Sequence, residues 1–130
     1  MRATYLDSSA LVKLVVQEKE TEALRQFLAT SDQMTSSLLT KVELSRAVTR
    51  RLPDAGPVAE ALLEGVVIVA FDARIAARAA ALTPANLRSL DAIHLATALE
   101  FGADLQAFVC YDDRLSAAAS ALGLPVVSPE

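Results

Sequence analysis

Val66-Val67-Ile68-Val69-Ala70-Phe71 is the longest uninterrupted apolar run in the sequence, bounded by Gly65 on one side and Asp72 on the other. A short run so rich in β-branched side chains reads as a strand covered on both faces, the condition of a strand inside a parallel sheet. It is the strongest strand signal in the chain. Upstream, Thr4 to Leu6 is a short β-prone run closed by Asp7, and Ser8 or Ser9 offers a cap for a helix carrying Leu11, Val12, Val15 and Val16. Glu20 to Ala29 and Leu38 to Arg51 repeat apolar residues at helical spacing, Met34 to Ser36 is a plausible strand between them, and Val58 to Leu63 fits a short helix after the Pro53–Pro57 turn. Downstream, Asp72 starts an alanine-rich helix that stops near Thr83-Pro84. Ser89 offers a cap for a helix over Leu90 to Phe101. Ala107 to Tyr111 reads as a strand, Asp112 to Leu122 as a helix, and Pro125 to Val127 as a short last strand. Strands alternating with helices imply right-handed crossovers and a three-layer α/β/α arrangement with a mainly parallel sheet, residues 1–130 forming one domain.

The chain has 130 residues, 53% of them hydrophobic, which is enough for one core without disulfides or a structural metal. Its single cysteine, Cys110, has no internal bridging partner, so a reducing, cytoplasmic setting is expected. The apolar runs are far short of the roughly 20 residues that cross a bilayer, and the first residues read as a structural element, not a signal peptide. Twelve basic against 16 acidic residues give a net charge of −4, which by itself argues against a nucleic-acid partner. Four acids gathered round a cation would leave the remaining charges balanced, so distribution decides the matter, not the total.

In an open parallel sheet the ligand crevice lies beyond the carboxyl ends of the strands. Asp7 follows the first strand, Asp72 the third, and Asp112 with Asp113 the fourth. Glu43 lies between Leu39 and Ala47 at four-residue spacing, and Asp91 opens a helix that is otherwise almost wholly apolar. Each has an ordinary reading. Asp7 and Asp72 serve as helix caps, Asp91 suits the first-turn dipole, and Glu43 suits a surface ion pair. His94, one turn after Asp91, reads as a packed helix residue bonded to the backbone or to a neighbouring carboxylate. Taken together, carboxylates meeting at one point repel and raise one another's pKa unless a cation resolves the repulsion. Oxygen-only ligands select a hard ion, Mg²⁺ or Mn²⁺, and such a site suits phosphodiester hydrolysis. No Ser-His-Asp or Cys-His set competes.

At these residues the sequence resembles, end to end, the PIN-domain ribonucleases, specifically the VapC-type toxins of bacterial toxin–antitoxin pairs. The likeness runs through Tyr5-Leu6-Asp7-Ser8-Ser9-Ala10-Leu11, Val42-Glu43-Leu44-Ser45-Arg46-Ala47, Leu90-Asp91-Ala92-Ile93-His94-Leu95-Ala96-Thr97-Ala98 and Tyr111-Asp112-Asp113-Arg114-Leu115. The resemblance implies a PIN fold, an Mg²⁺- or Mn²⁺-dependent endoribonuclease, toxicity by cutting a structured RNA such as tRNA or rRNA, a VapB-type antitoxin, and a homodimer. It assigns Asp7, Glu43, Asp91 and Asp112 as catalytic metal ligands, with Ser9 supporting the first acid and Asp113 adjacent to the fourth. In one departure, Cys110 stands where the family commonly has Thr or Ser, which removes a hydroxyl hydrogen bond from the support of Asp112.

Lys41, Arg46, Arg50 and Arg51 place a third of all basic residues within eleven positions around Glu43, and Arg114 follows Asp112. They are the candidates for holding RNA phosphates, against the reading of a solvated helix face. Aromatic residues make up only 5% of the chain and do not interleave with the basic ones, so recognition by RNA shape is expected over base-by-base reading. The apolar helices Leu11 to Val16 and Ala23 to Leu28 fit either a dimer surface or core. Two other function classes share the acids: a catalytically weak module that binds RNA or a protein, and a phosphatase or phosphoacceptor domain. The last lacks the second acid such a phosphatase needs, because Ser9 stands two residues after Asp7.

Overall fold

In the computed structural model, which describes residues 2–130, the strands are β1 (Ala3–Leu6), β2 (Gln33–Ser37), β3 (Val67–Val69), β4 (Leu105–Val109) and β5 (Val126–Val127). The helices are α1 (Ser8–Val15), α2 (Thr21–Leu28), α3 (Leu38–Arg51), α4 (Gly56–Glu64), α5 (Ala73–Ala81), α6 (Ser89–Leu99) and α7 (Asp113–Ala121). The sheet is ordered β3-β2-β1-β4-β5, and every pairing is parallel. The chain therefore winds outward from β1 to β3 on one side and then crosses to β4 and β5 on the other. The reversal opens a crevice beyond the carboxyl ends of β1 and β4.

Strand alternation fixes the layers. Leu6, with Ala107 and Val109 of β4, points into one core with Leu11, Leu24, Leu44 and Val48 from α1, α2 and α3. Tyr5, with Phe108 of β4, points into the opposite core with Leu95 and Ala98 of α6 and Leu115 and Ala119 of α7. A smaller cluster of Ile75, Ala79, Ala92 and Ala96 joins α5 to α6. Leu11 and Leu24 are fully buried, so α1 and α2 each contribute to the core, while Leu14, Val15, Phe27 and Leu28 are partly buried against it.

Two expectations are corrected. The Val66–Phe71 run gives a strand of only three residues at the edge of the sheet, with Val67 45% and Phe71 47% exposed. β2, the weaker signal, is the strand buried between neighbours, with Thr35, Ser36 and Ser37 all inaccessible to solvent. Its hydroxyls tolerate burial because they are bonded: Ser36 Oγ donates to the Leu6 carbonyl at 2.6 Å and lies 2.8 Å from Thr40 Oγ1. Ser37 caps α3 by accepting from the Leu39 N–H. Of the caps offered for α1 one is realised, and the cap expected for α6 is not. Asp7, not Ser8 or Ser9, caps α1, and α6 starts after Arg88 with no side-chain cap from Ser89. Asp72 caps α5 as expected, accepting from the Ile75 N–H.

Because β3 is an edge, Val67→Thr is expected to change stability by no more than about 0.5 kcal/mol. Leu44→Ala, in the fully buried core, is expected to cost about 2–5 kcal/mol. Urea unfolding of the two variants checks this, and a large loss at Val67 would contradict the edge assignment.

Candidate metal centre

The turn from β1 into α1 places the first acid. Asp7 ends the strand, and its Oδ1 accepts from the Ala10 N–H at 3.1 Å and from Ser9 Oγ at 2.6 Å. Ser9 Oγ in turn accepts from the Tyr111 N–H at 2.9 Å, which ties the first turn of α1 to the segment after β4. Asp7 is only 3% exposed, and burial pushes its carboxyl above the ordinary range despite the opposing bonds from Ser9 and Ala10 and the nearby His94. Helix cap and site residue are here the same side chain.

The fourth acid is set in the same way. Asp112 caps α7, its Oδ1 accepting from the Leu115 N–H at 3.0 Å. Between β4 and this cap lies Cys110, whose Sγ donates to Asp7 Oδ2 at 3.3 Å and accepts from the Asp112 N–H at 3.4 Å. Burial, reinforced by the charge of Asp7, pushes the thiol up to about 12, so it stays protonated and able to donate. The expected loss of support at this position is therefore corrected: sulfur links the first acid to the backbone of the fourth.

Asp91 stands in the first turn of α6 and is 9% exposed. Glu43 projects from the middle of α3, where its Oε1 lies 2.7 Å from His94 Nε2. The other ring nitrogen of His94 lies 2.6 Å from the Tyr5 hydroxyl, so the histidine is packed and bonded to a carboxylate, as its sequence position suggested. Burial and the charge of Asp7 hold the Tyr5 hydroxyl well above its ordinary pKa, so it remains a donor.

Asp7, Glu43, Asp91 and Asp112 all line one crevice of about 400 Å³, with Ser9, His94 and Arg88 among its other walls. Arg88 is the residue that sequence reading missed. Its Nε donates to Asp91 Oδ2 at 3.2 Å, and its Nη2 lies 3.7 Å from Asp112 Oδ2, so a guanidinium bridges the third and fourth acids. The available signal was its spacing, three residues before Asp91 at the start of a helix. Asp113 is exposed on α7 and is not among the crevice-lining residues. Nor are the basic candidates. Lys41 and Arg46 line a neighbouring groove between α3 and α4, Arg50 and Arg114 are exposed, and Arg51 pairs with Glu18 at 3.4 Å.

Among the described residues, no three Asp, Glu, His or Cys side chains form a ready-made ligand cage. The crevice carboxylates are donors of the oxygen type that a hard divalent ion such as Mg²⁺ takes. The donor set fits such an ion. The hollow offers carboxylate oxygens, the imidazole is engaged on both nitrogens, and positive charge is already drawn in as the Arg88 guanidinium.

The sequence profile of the PIN domain matches residues 4–121. The chain is 43% identical over 129 residues to Ribonuclease VapC46 of Mycobacterium tuberculosis (strain ATCC 25618 / H37Rv), covering 99% of each chain. In three dimensions it is similar to VapC20 of Mycobacterium tuberculosis, a Sarcin-Ricin loop cleaving toxin, with a TM-score of 0.77, 18% identity and coverage of 97% of this chain and 99% of that one. It is also similar to a chain in a toxin–antitoxin complex from Klebsiella pneumoniae, with a TM-score of 0.75, 25% identity and 98% coverage of both chains.

The raised carboxyl of Asp7 has a consequence for stability. The folded protein holds that proton more tightly than the unfolded chain does. The stabilisation is complete below the unfolded pKa and is lost as pH rises through the folded one. Asp7→Asn keeps a capping side chain without the buried charge. With divalent ions chelated, it is expected to melt at a higher temperature than the parent at pH 7, the gap closing as pH falls below about 4. Melting curves from pH 3 to 8 check this. A less stable variant at pH 7 would mean that the hydrogen bonds to the charged form outweigh its burial.

Proposed function

Because the chain belongs to the PIN-domain family, among its VapC ribonucleases, we propose that residues 1–130 act as one PIN domain, an Mg²⁺- or Mn²⁺-dependent endoribonuclease. We further propose that it cuts structured RNA, tRNA or rRNA, as the toxin of a type II toxin–antitoxin pair. The observation that carries this reading is the single crevice lined by Asp7, Glu43, Asp91 and Asp112 at the switch point of a parallel sheet. These four would hold the ion. A divalent ion in such a site supplies activation of water at neutral pH and stabilisation of charge on the leaving oxygen.

The protein's own groups do the rest. Ser9, the Ala10 N–H and Cys110 fix both oxygens of Asp7, so the deepest carboxylate is held in one orientation. Arg88 stands at the crevice with its side chain 55% exposed, where the guanidinium can exchange its carboxylate partners for a substrate phosphate. Lys41, Arg46, Arg50, Arg51 and Arg114 flank the acids on α3 and α7 and would hold phosphates further along the RNA. The scarcity of aromatic residues, 5% of the chain, supports reading by shape.

A VapB-type antitoxin is the expected partner, laying a segment across the acidic crevice, and the Klebsiella pneumoniae complex supports that pairing. A homodimer is also proposed. Its surface is to be sought at the partly buried residues of α1 and α2, Leu14, Val15, Phe27 and Leu28, or at the exposed Leu38, Val42, Leu52, Val58, Phe71 and Leu90. Size-exclusion chromatography of the free protein tests it. A cytoplasmic setting agrees with the single thiol, and among the described residues no helix is long and apolar enough to cross a membrane.

Purified protein is expected to cut RNA with Mg²⁺ or Mn²⁺ and to stop when the ion is chelated. Asp7→Ala and Asp91→Ala should each fall below about a hundredth of the parental rate while keeping the fold, the scale on which losing one charge-stabilising group costs an enzyme. Cleavage that persists in both variants refutes the assignment, whereas ion-independent RNA binding without products points to a binding module. The basic flank has its own test. In an RNA-binding titration against salt, Arg46→Ala with Arg50→Ala is expected to flatten the slope of log K on log salt by about 1 to 2.

A further inference from the structure

Three of the four acids in the crevice stand at helix N-termini. Asp7 caps α1, Asp112 caps α7, and Asp91 lies in the first turn of α6. There the backbone N–H groups and the helix dipole favour a negative charge. Glu43 is different, because it projects from the interior of α3, with Ser37 capping that helix six residues earlier. Its fixed partner is His94, at 2.7 Å.

His94 is 2% exposed and both of its ring nitrogens are engaged. A carboxylate oxygen can only accept, so Nε2 carries a proton and donates to Glu43, while Nδ1 shares a hydrogen bond with the Tyr5 hydroxyl. Tyr5 is itself immobile. Its ring stacks on Phe108 with centroids 5.2 Å apart and meets the His94 ring edge-on at 5.9 Å. A hydrogen-bonded chain thus runs from the centre of β1, through α6, to a flexible side chain at the crevice.

We propose that His94, backed by Tyr5, is a positioning residue for Glu43, holding one carboxylate oxygen so that the group faces the crevice in a single orientation. The inference rests on the reading of Glu43 as a metal ligand. It assigns the sole histidine a task separate from contact with RNA, and it makes α6 responsible for two acids, one carried and one steered.

The test is Mn²⁺ binding to the RNA-free protein by calorimetry, beside kcat and KM for RNA cleavage. It uses the parent, H94A, H94Q, Y5F, E43Q and the double variant H94A/E43Q. Removing the partner that orients a metal ligand typically lowers affinity about 10–100-fold. H94A is expected to lose Mn²⁺ affinity on that scale and to lower kcat at limiting metal, with KM for RNA unchanged. H94Q, which restores an N–H donor, should recover most of the affinity. In the E43Q background, H94A should cost little more. A folded H94A with parental affinity, or the same fold-loss with and without Glu43, overturns the proposal. If H94A does not fold, Y5F decides, because it keeps both rings and removes only the hydroxyl that fixes the imidazole, and unchanged affinity there overturns it. A parent protein that neither binds Mn²⁺ nor cuts RNA removes the metal-site reading and this inference with it, whereas the variant results remove the inference alone.

Discussion

Bringing four carboxylates to one crevice is the constraint around which this molecule is arranged. Four acids facing one hollow would push each other's protons back on, or push the strands apart, unless local positive potential offsets them. The parallel sheet supplies that potential through its topology. Helices that follow parallel strands begin at the carboxyl edge, so the N-termini of α1 and α7 arrive beside the ends of β1 and β4, and Asp7 and Asp112 occupy them as caps. Asp91 uses the start of α6 in the same way, and Arg88, just ahead of it, adds a full positive charge between two of the acids. The observed cap roles of Asp7 and Asp112 and their proposed ligand roles are therefore compatible, because a position that favours an anion for the helix also favours it for the site.

This explains why the acids were legible in the sequence. Asp7 and Asp112 sit where strand and helix patterns meet and Asp91 where a helix pattern begins, and those places can be read from local periodicity. Ser9 was legible as the support of Asp7 and His94 as a partner for some carboxylate, but which distant residues pair was not, because that depends on contacts far apart in the chain. The bond from His94 to Glu43 spans 51 positions, that from Tyr5 to His94 spans 89, and that from Cys110 to Asp7 spans 103. Cys110 illustrates the limit. By residue type it loses a hydroxyl, but its environment keeps the thiol protonated against Asp7 and so preserves a donor there.

The order of strands was less legible than their existence. Apolar content located Val66–Phe71 but gave no information about rank within the sheet, and the run became the β3 edge with Val67 and Phe71 facing solvent. β2 shows the converse. Thr35, Ser36 and Ser37 are polar by composition yet fully buried, because carbonyls of β1 accept from Thr35 and Ser36, Thr40 shares a bond with Ser36, and Ser37 accepts from the Leu39 N–H. Hydrophobicity measures what a side chain loses in water, whereas a strand's place depends on which partners its polar groups can find.

The helix α6 brings these threads together. Arg88 precedes it, and Asp91 and His94 follow at three-residue steps, so the three recur on one side of the helix and line the same crevice. The remaining sides carry Ala92, Leu95, Ala96 and Ala98, all buried against β1, β4 and α5. Small side chains let the helix lie close to its neighbours, and burial on nearly every side leaves it little freedom to rotate. A site that must hold like charges at fixed separations gains from that rigidity, since a loop would relax the repulsion by moving. It follows that Ala92, Leu95, Ala96 and Ala98 belong to the site's geometry as much as Asp91 does, although none of these four lines the crevice.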